Sequence, residues 1–447
     1  MILPTLSISQ LFFYCMEAIN LEQSSSFHVK NTPYLTANAI PNQYPWLNEN
    51  QYCDVCIVGG GLTAALCALK IAEKGRGVVL MTDREIGFGE DACLPASAEA
   101  DGGFTLTELS RHFDTDTSIR LYSLGCAALD ELENLCRSLD AAEGKEGGYS
   151  CNFQRRDTLL YTDDESELES LNHEYLARKH NNFDCTYITR EMARDSFSFD
   201  IGGAILNKGF GAVLNPYHLT HLCLMRAEAM GAKIFEHTEA VDIETPQIDD
   251  GSVIVTTAAH RTIYADKLVL ATGSRGLESI LPTFRRRTRY HVVSKPVPPE
   301  DESGWPGKCL IRTFGTPKIH YAFTPDGRIS AGGLESRTFG VSGRVKELLQ
   351  MPAASERKFA HLEESVEYLF PAIPNSKPEF EYELSYAAAP DGLPVIGTRA
   401  EYHNCIFALC TGNGTLIYSQ LAAQFAADML EGLHNADMDL FKTQRNL

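Results

Sequence analysis

An apolar, β-branched run over Cys53–Val58 alternates poorly, as a strand buried on both faces of a parallel sheet should. A cluster of glycines follows it. The spacing then predicts a helix over Leu62–Lys74, opened by small residues and closed by Gly75 and Gly77. Val78–Met81 reads as a second strand. Leu121, Leu124, Ala128, Leu132 and Leu135 recur at helical spacing, which predicts one or two amphipathic helices over Leu109–Leu139. Phe153–Tyr161 reads as a strand and Glu165–Lys179 as a helix. Pro216–Met230 reads as a helix closed by Gly231. Strands are expected at Lys233–Glu236, Ser252–Thr257 and Lys267–Ala271. From Tyr290 to Gly333 strands dominate, and a last helix covers Leu416–Leu430. Residues 1–50, rich in Asn, Ser, Pro and Tyr, read as an irregular arm laid over the body.

The element order is βαβ, then mixed structure, then strands, then a closing helix. This implies an α/β fold in which a nucleotide-type domain is interrupted by a second domain. The 447 residues exceed what one small core organises.

Composition narrows the function classes. The chain is 44% hydrophobic and 22% charged, as in ordinary globular proteins. No apolar window reaches the roughly 18 residues of a membrane span, so no integral membrane segment is expected. The net charge of −20 argues against nucleic acid as a partner. Thirteen cysteines, an odd number without framework spacing, fit reduced thiols in a cytoplasm. Cys53 and Cys56 form a C-x-x-C pair, but on a strand such residues face opposite sides, so a shared metal is not expected. His218 and His221 lack a third ligand nearby and read as a solvent-facing helical pair. The basic cluster Arg285, Arg286, Arg287 and Arg289 reads as a solvated strand end, or as an anion-steering mouth.

Ile57-Val58-Gly59-Gly60-Gly61-Leu62-Thr63-Ala64 matches G-x-G-x-x-G/A, with Gly59, Gly61 and Ala64 at the three positions. The first permits a tight turn, the second lets a pyrophosphate approach the backbone, and the third packs helix on strand. The phosphates then meet the helix N-terminus at Leu62 and Thr63. Strand, loop, helix and second strand occur in the required order. An acidic residue normally ends that second strand and binds ribose. Here Thr82 stands there, with Asp83 and Arg84 next. Either Asp83 takes the role, or Thr82 and backbone groups do.

Further segments favour FAD over NAD. Asp266–Leu270 is a strand ending in Ala271-Thr272-Gly273. Near the C-terminus, Pro390-Asp391-Gly392-Leu393-Pro394-Val395-Ile396-Gly397 precedes a strand and then Gly412-Asn413-Gly414-Thr415-Leu416, a glycine loop opening the last helix. Its amides suit the negative edge of a flavin. Together these motifs resemble the D-amino-acid oxidase / glycine oxidase superfamily of FAD-dependent oxidoreductases, with gamma-glutamylputrescine-oxidase-like bacterial members the nearest in look. The resemblance spans about residues 50 to 432. It includes a substrate-domain strand at Cys151–Leu160 and a hairpin at His320–Ile329 with Gly332 and Gly333.

That resemblance implies a Rossmann-like FAD-binding domain over 51–108, 206–288 and 386–447, discontinuous in sequence. It implies an interleaved α+β substrate domain, mostly antiparallel, over 109–205 and 289–385. It places Val241 over the adenine, with Gly102 and Gly103 beside the flavin and Gly397, Gly412, Asn413 and Gly414 near its far edge. It implies oxidation of the C–N bond of a small amine or amino acid, by hydride transfer to flavin N5, with oxygen or another acceptor. Arg312 is the expected carboxylate grip. His320 and Tyr321 sit on the flavin-facing hairpin; alternation turns one of them inward, and Tyr321 is the expected one. The loop Gly87–Pro95 departs from the family's glycine-rich run, and Cys93 is its one candidate for covalent flavin attachment. Two other readings remain: a fumarate-reductase- or aspartate-oxidase-like flavoenzyme, and a flavin-binding protein without turnover.

Overall fold

The computed structural model describes residues 32–142, 148–246, 251–281, 283–298, 305–337, 352–373, 377–412, 414–442 and 445. A short helical turn, Pro33–Ala37, precedes the first strand, so the arm is not wholly irregular. The arm docks by its backbone: Tyr44 N–H donates to the Glu236 carboxylate at 2.9 Å and Leu47 N–H to the Thr238 hydroxyl at 3.0 Å.

The front of the body is β1 (Gln51–Val58), α1 (Leu62–Glu73) and β2 (Val78–Met81). There follow β3 (Ser97–Glu99), α2 (Thr115–Ala142), β4 (Gln154–Thr162), α3 (Leu168–His180), β5 (Cys185–Thr189) and β6 (Gly203–Val213). Next come α4 (Pro216–Ala229), β7 (Lys233–Phe235), β8 (Ala240–Glu244), β9 (Val253–Thr257), β10 (Thr262–Leu270) and α5 (Gly273–Ile280). The remainder is β11 (Arg285–Ser294), β12 (Leu310–Thr313), β13 (Ile319–Phe323), β14 (Ile329–Arg337), α6 (Pro352–Leu369), β15 (Pro378–Ala388), β16 (Val395–Arg399), β17 (Tyr402–Leu409) and α7 (Thr415–Leu430).

Two sheets organise these elements. The first runs β16-β17-β10-β1-β2-β7, with β8 and β9 attached to β10. β1 is parallel to both β2 and β10, and β10 is parallel to β17. The apolar run at Cys53–Val58 is therefore the middle of a parallel sheet, with Cys56 and Ile57 fully buried. Cys53 packs at the margin of the cluster that buries Cys56, so the two do not separate onto different cores as the strand period suggested. Among the described residues no group of three His, Cys, Asp or Glu could hold a metal.

The second sheet runs β15-β11-β14-β13-β12-β4-β6-β3, with β5 on β6. Among the described strands of this sheet, only the β4–β12 pairing is parallel. This is the expected α/β architecture with a mostly antiparallel second sheet. The boundary expected at residue 206 falls inside β6, which lies wholly in the second sheet, as do β3 and most of β15.

α1 is almost wholly buried, because Ala64, Ala65, Ala68 and Ala72 let neighbouring elements approach closely. It packs in one cluster with residues of α4 and α7. Each fully buried Leu or Ile there contributes roughly 1.5–3 kcal/mol. His221, expected to face solvent, is instead fully buried on α4, edge-on to Tyr217 at 4.7 Å. His218 is half-buried and meets the Ser150 carbonyl. The helix is covered on that side too, which its sequence periodicity does not reveal. No described helix is long and apolar enough to cross a membrane.

Candidate active site

The site is a groove that begins at the end of β1. Gly59 has φ +142°, and a Cβ there would lie 2.3 Å from the Ala271 carbonyl oxygen. Only glycine allows the chain to cross so close to β10 and still turn into α1. α1 starts on Gly61, and no side chain caps it. α7 starts on Gly414, likewise without a side-chain cap. The two helix starts converge, since the Thr63 and Ser419 hydroxyls hydrogen-bond at 2.7 Å. Each helix start is a positive end suited to an anion.

At the outer end, Thr82 lies against the glycine loop; a Cβ on Gly60 would meet its Oγ1 at 2.6 Å. Thr238 N–H donates to the Thr82 carbonyl at 2.7 Å. Asp83 points elsewhere and pairs with Arg275 at 2.9 Å and Arg84 at 3.5 Å.

Beside the start of α7 lies a solvent-open cleft of about 650 Å³, its open mouth included. Its walls include Glu99 of β3, Arg289 and His291 of β11, His320 of β13, and the loops at Gly102 and Gly412. Thr415 and Leu416 close it from the first turn of α7. The roof is tight: a Cβ on Gly102 would meet the Tyr418 hydroxyl at 2.5 Å, and one on Gly414 would meet the Gly102 Cα at 2.7 Å.

Buried charges back this wall. Arg312 binds both carboxylate oxygens of Asp101, one at 3.0 Å, and reaches Glu99 at 3.3 Å. Arg178 lies 3.8 Å from Asp101 and 2.6 Å from Glu174. His320 Nδ1 lies 3.3 Å from the Glu99 carboxylate. Burial opposes the charge on Glu99, but Arg312 and His320 outweigh it and hold its carboxyl at about 2. Burial lowers His320 below the usual histidine value, although Glu99 pulls the other way. Burial, then Arg289, push His291 far down, so it is neutral. Its ring stacks on Tyr382 at 5.0 Å, and neither nitrogen finds a partner among the described residues. On the opposite side Arg289 pairs with Glu335, which also holds Arg287 and the Tyr386 hydroxyl.

A family model described as FAD-dependent oxidoreductase (DAO) matches residues 54–429. The chain belongs to the DAO family of FAD-dependent oxidoreductases. Its cofactor is FAD. It is 25% identical over 306 residues to gamma-glutamylputrescine oxidoreductase of Escherichia coli, covering 64% of this chain and 66% of that protein. It is 25% identical over 266 residues to the probable oxidoreductase OrdL of Haemophilus influenzae, covering 58% and 56%. These matches span less than two thirds of the curated relatives' lengths. Among solved structures, glycine oxidase from Geobacillus kaustophilus superposes with a TM-score of 0.69 at 18% identity, covering 89% of this chain and all of that one. L-amino acid deaminase from Proteus vulgaris gives 0.70 at 15%, covering 92% and all of that chain.

The groove of this DAO-family chain fits FAD. The Gly59 cradle and the uncapped start of α1 would hold the diphosphate, through the amides of Leu62, Thr63 and Ala64. Thr82 would meet the ribose, because Asp83 is spent on Arg84 and Arg275. Val241 is the second residue of β8, just past Thr238 and beside that end. Ala271, Thr272 and Gly273 form the neighbouring turn, where Ala271 N–H bonds the Val58 carbonyl at 2.9 Å. Gly102, Gly103, Gly412, Gly414, Thr415 and Leu416 line the inner cleft. Asn413 lies outside the described residues.

Several expectations need correction. Gly397 sits mid-strand in β16, where a Cβ would meet only Lys442, so the structure does not bring it to the cleft lining. Arg312 is buried and committed to Asp101 and Glu99, so it is no substrate grip. The alternation on β13 holds, but with the opposite sense. The Tyr321 ring joins Ile319 and Phe323 in the second-sheet core although the residue also borders the cleft, while His320 lines the cleft with its Nδ1 on Glu99. Cys93 is buried beside Tyr382, Phe380 and Val293. Of the basic cluster, Arg289 lines the cleft while Arg286 pairs with Glu278. Sequence reasoning missed Glu99 and His291. The period-2 relation of Arg289 and His291 on one strand face was a usable signal; Glu99 on a three-residue strand offered none.

Proposed function

We propose that the protein oxidises the C–N bond of a small amine or amino acid. The observation that carries this reading is the cleft at the end of the FAD groove, where a carboxylate-backed histidine faces a buried arginine. Bound FAD would supply the two-electron acceptor, taking a hydride at N5 from the carbon that bears nitrogen. The chain's task is then to orient and neutralise the substrate. Arg289 is the anion pole: its Nε has no partner among the described residues, and a substrate carboxylate would provide one. The names of the relatives, which specify gamma-glutamylputrescine, glycine and L-amino acids, support the same class.

The test is anaerobic bleaching of the protein's flavin absorption by a panel of amines, amino acids and dicarboxylates. Bleaching by an amine or amino acid is expected. Bleaching by no amine on the panel sinks the reading and leaves a flavin-binding protein without turnover. Preference for a dicarboxylate would favour the fumarate-reductase-like alternative. Peroxide formation on readmitting air would identify oxygen as the acceptor.

A further inference from the structure

The wall behind the cleft is an alternating chain of charges: Glu174, Arg178, Asp101, Arg312, Glu99. Three carboxylates face two guanidinium groups. The surplus negative charge sits at the end of the chain that meets the cleft, on Glu99. A buried surplus charge is costly unless something completes it. His320 is the side chain placed to do so. Its Nδ1 faces Glu99 at 3.3 Å, which fixes the neutral tautomer with hydrogen on Nδ1 and leaves the Nε2 lone pair for the cleft.

We propose that His320 is the proton acceptor for the substrate's ammonium group, with Glu99 as its positioning residue. This rests on the amine-oxidation reading above. An amine cannot release hydride from its neighbouring carbon while its nitrogen lone pair holds a proton. In the step, an N–H bond of the ammonium breaks and an Nε2–H bond forms on His320. The nitrogen keeps the electron pair, and the neutral amine is left beside a charged imidazolium. Glu99 then faces that imidazolium, and the five-membered chain plus His320 becomes neutral overall. The Glu99–Arg312–Asp101 contacts prevent the carboxylate from swinging away to the ammonium itself.

The groups that face His320 are Glu99 from β3, Arg312 from β12, and Arg289 and His291 from β11. Its partner across the ladder on β14 is Gly332, which carries no charge. Glu99 favours the protonated ring and the two arginines oppose it. With its partners held at one charge state, the ionisation this wall contributes is the ring's own, set below the ordinary histidine value by burial.

The experiment uses the FAD-loaded protein and the amine that bleaches it best. The pH dependence of the anaerobic reduction rate over the apparent dissociation constant should rise to a plateau with one ionisation from the free enzyme. In His320→Asn that ionisation should vanish, and the rate should fall on the order of 100-fold. Added imidazole should restore part of the rate in His320→Ala. Glu99→Gln should shift the inflection to lower pH, because the carboxylate no longer favours the imidazolium. An NMR titration of the histidine ring protons, without substrate, should show one resonance lost in His320→Asn with the same inflection. An unchanged pH profile in His320→Asn, with wild-type flavin content, overturns the proposal while leaving amine oxidation standing. If His320→Asn does not retain FAD, an unmoved inflection in Glu99→Gln overturns it equally.

Discussion

At the scale of single residues, burial decides roles that side-chain chemistry alone leaves open. Arg312 and Arg289 are both arginines on strands near the cleft, yet they perform different work. Arg312→Ala would leave buried Asp101 with only the more distant Arg178, and Glu99 with only His320, at a cost of about 3–5 kcal/mol. It should therefore appear as lost folding stability in urea denaturation. Arg289→Met should leave the urea midpoint much closer to wild type and instead raise the KM for substrates with a carboxylate, with little change for amines that lack one. His221 makes a separate prediction. Burial, with a smaller contribution from His218, depresses it from 6.5 to about 4. Its unfolded form takes a proton first, so its contribution is fully present above about pH 6.5 and is lost as pH falls toward about 4. Between about pH 7 and pH 5 the native state should lose roughly 2 kcal/mol at this site. Thermal midpoints of His221→Gln should depend less on pH over that interval.

At the scale of elements, the site depends on how closely backbones pass. Gly59→Ala would force a Cβ into the Ala271 carbonyl, with strain on the order of 1–3 kcal/mol at a positive φ. FAD affinity should drop about tenfold to a hundredfold, measured as the flavin-to-protein absorbance ratio after gel filtration. The strand–loop–helix around Gly59 was legible because its signals are local: an apolar run, glycines and a small residue at fixed spacing. The facing of β13 was not. Its pattern alternates correctly, but both of its faces are covered, so Tyr321 and His320 each had a plausible inward side. The aromatic ring went to the larger apolar core between the second sheet and α6, and the histidine went to the polar cleft. The burial of His221 was hidden for the same reason, since α4 packs on more than one side.

At the scale of the whole molecule, FAD would join α1 and α7, whose starts lie on segments more than 300 residues apart in sequence. A ligand that binds only the native state stabilises it by mass action. FAD at 100 times its dissociation constant should raise the unfolding free energy by about 2.7 kcal/mol. A thermal-shift series with FAD should show this, whereas NAD at equal concentration should not.

The sequence by itself determined the α/β class, the dinucleotide loop, the C-terminal glycine loop and the choice of FAD, because each is written in neighbouring residues. Tertiary structure alone decided which charges face the cleft. Glu99, Arg289, His291 and His320 come from three strands of one sheet, and Arg312 is removed from the substrate side by Asp101. That selection follows from strand order and from pairing buried charges, which are long-range properties that no short stretch of sequence encodes.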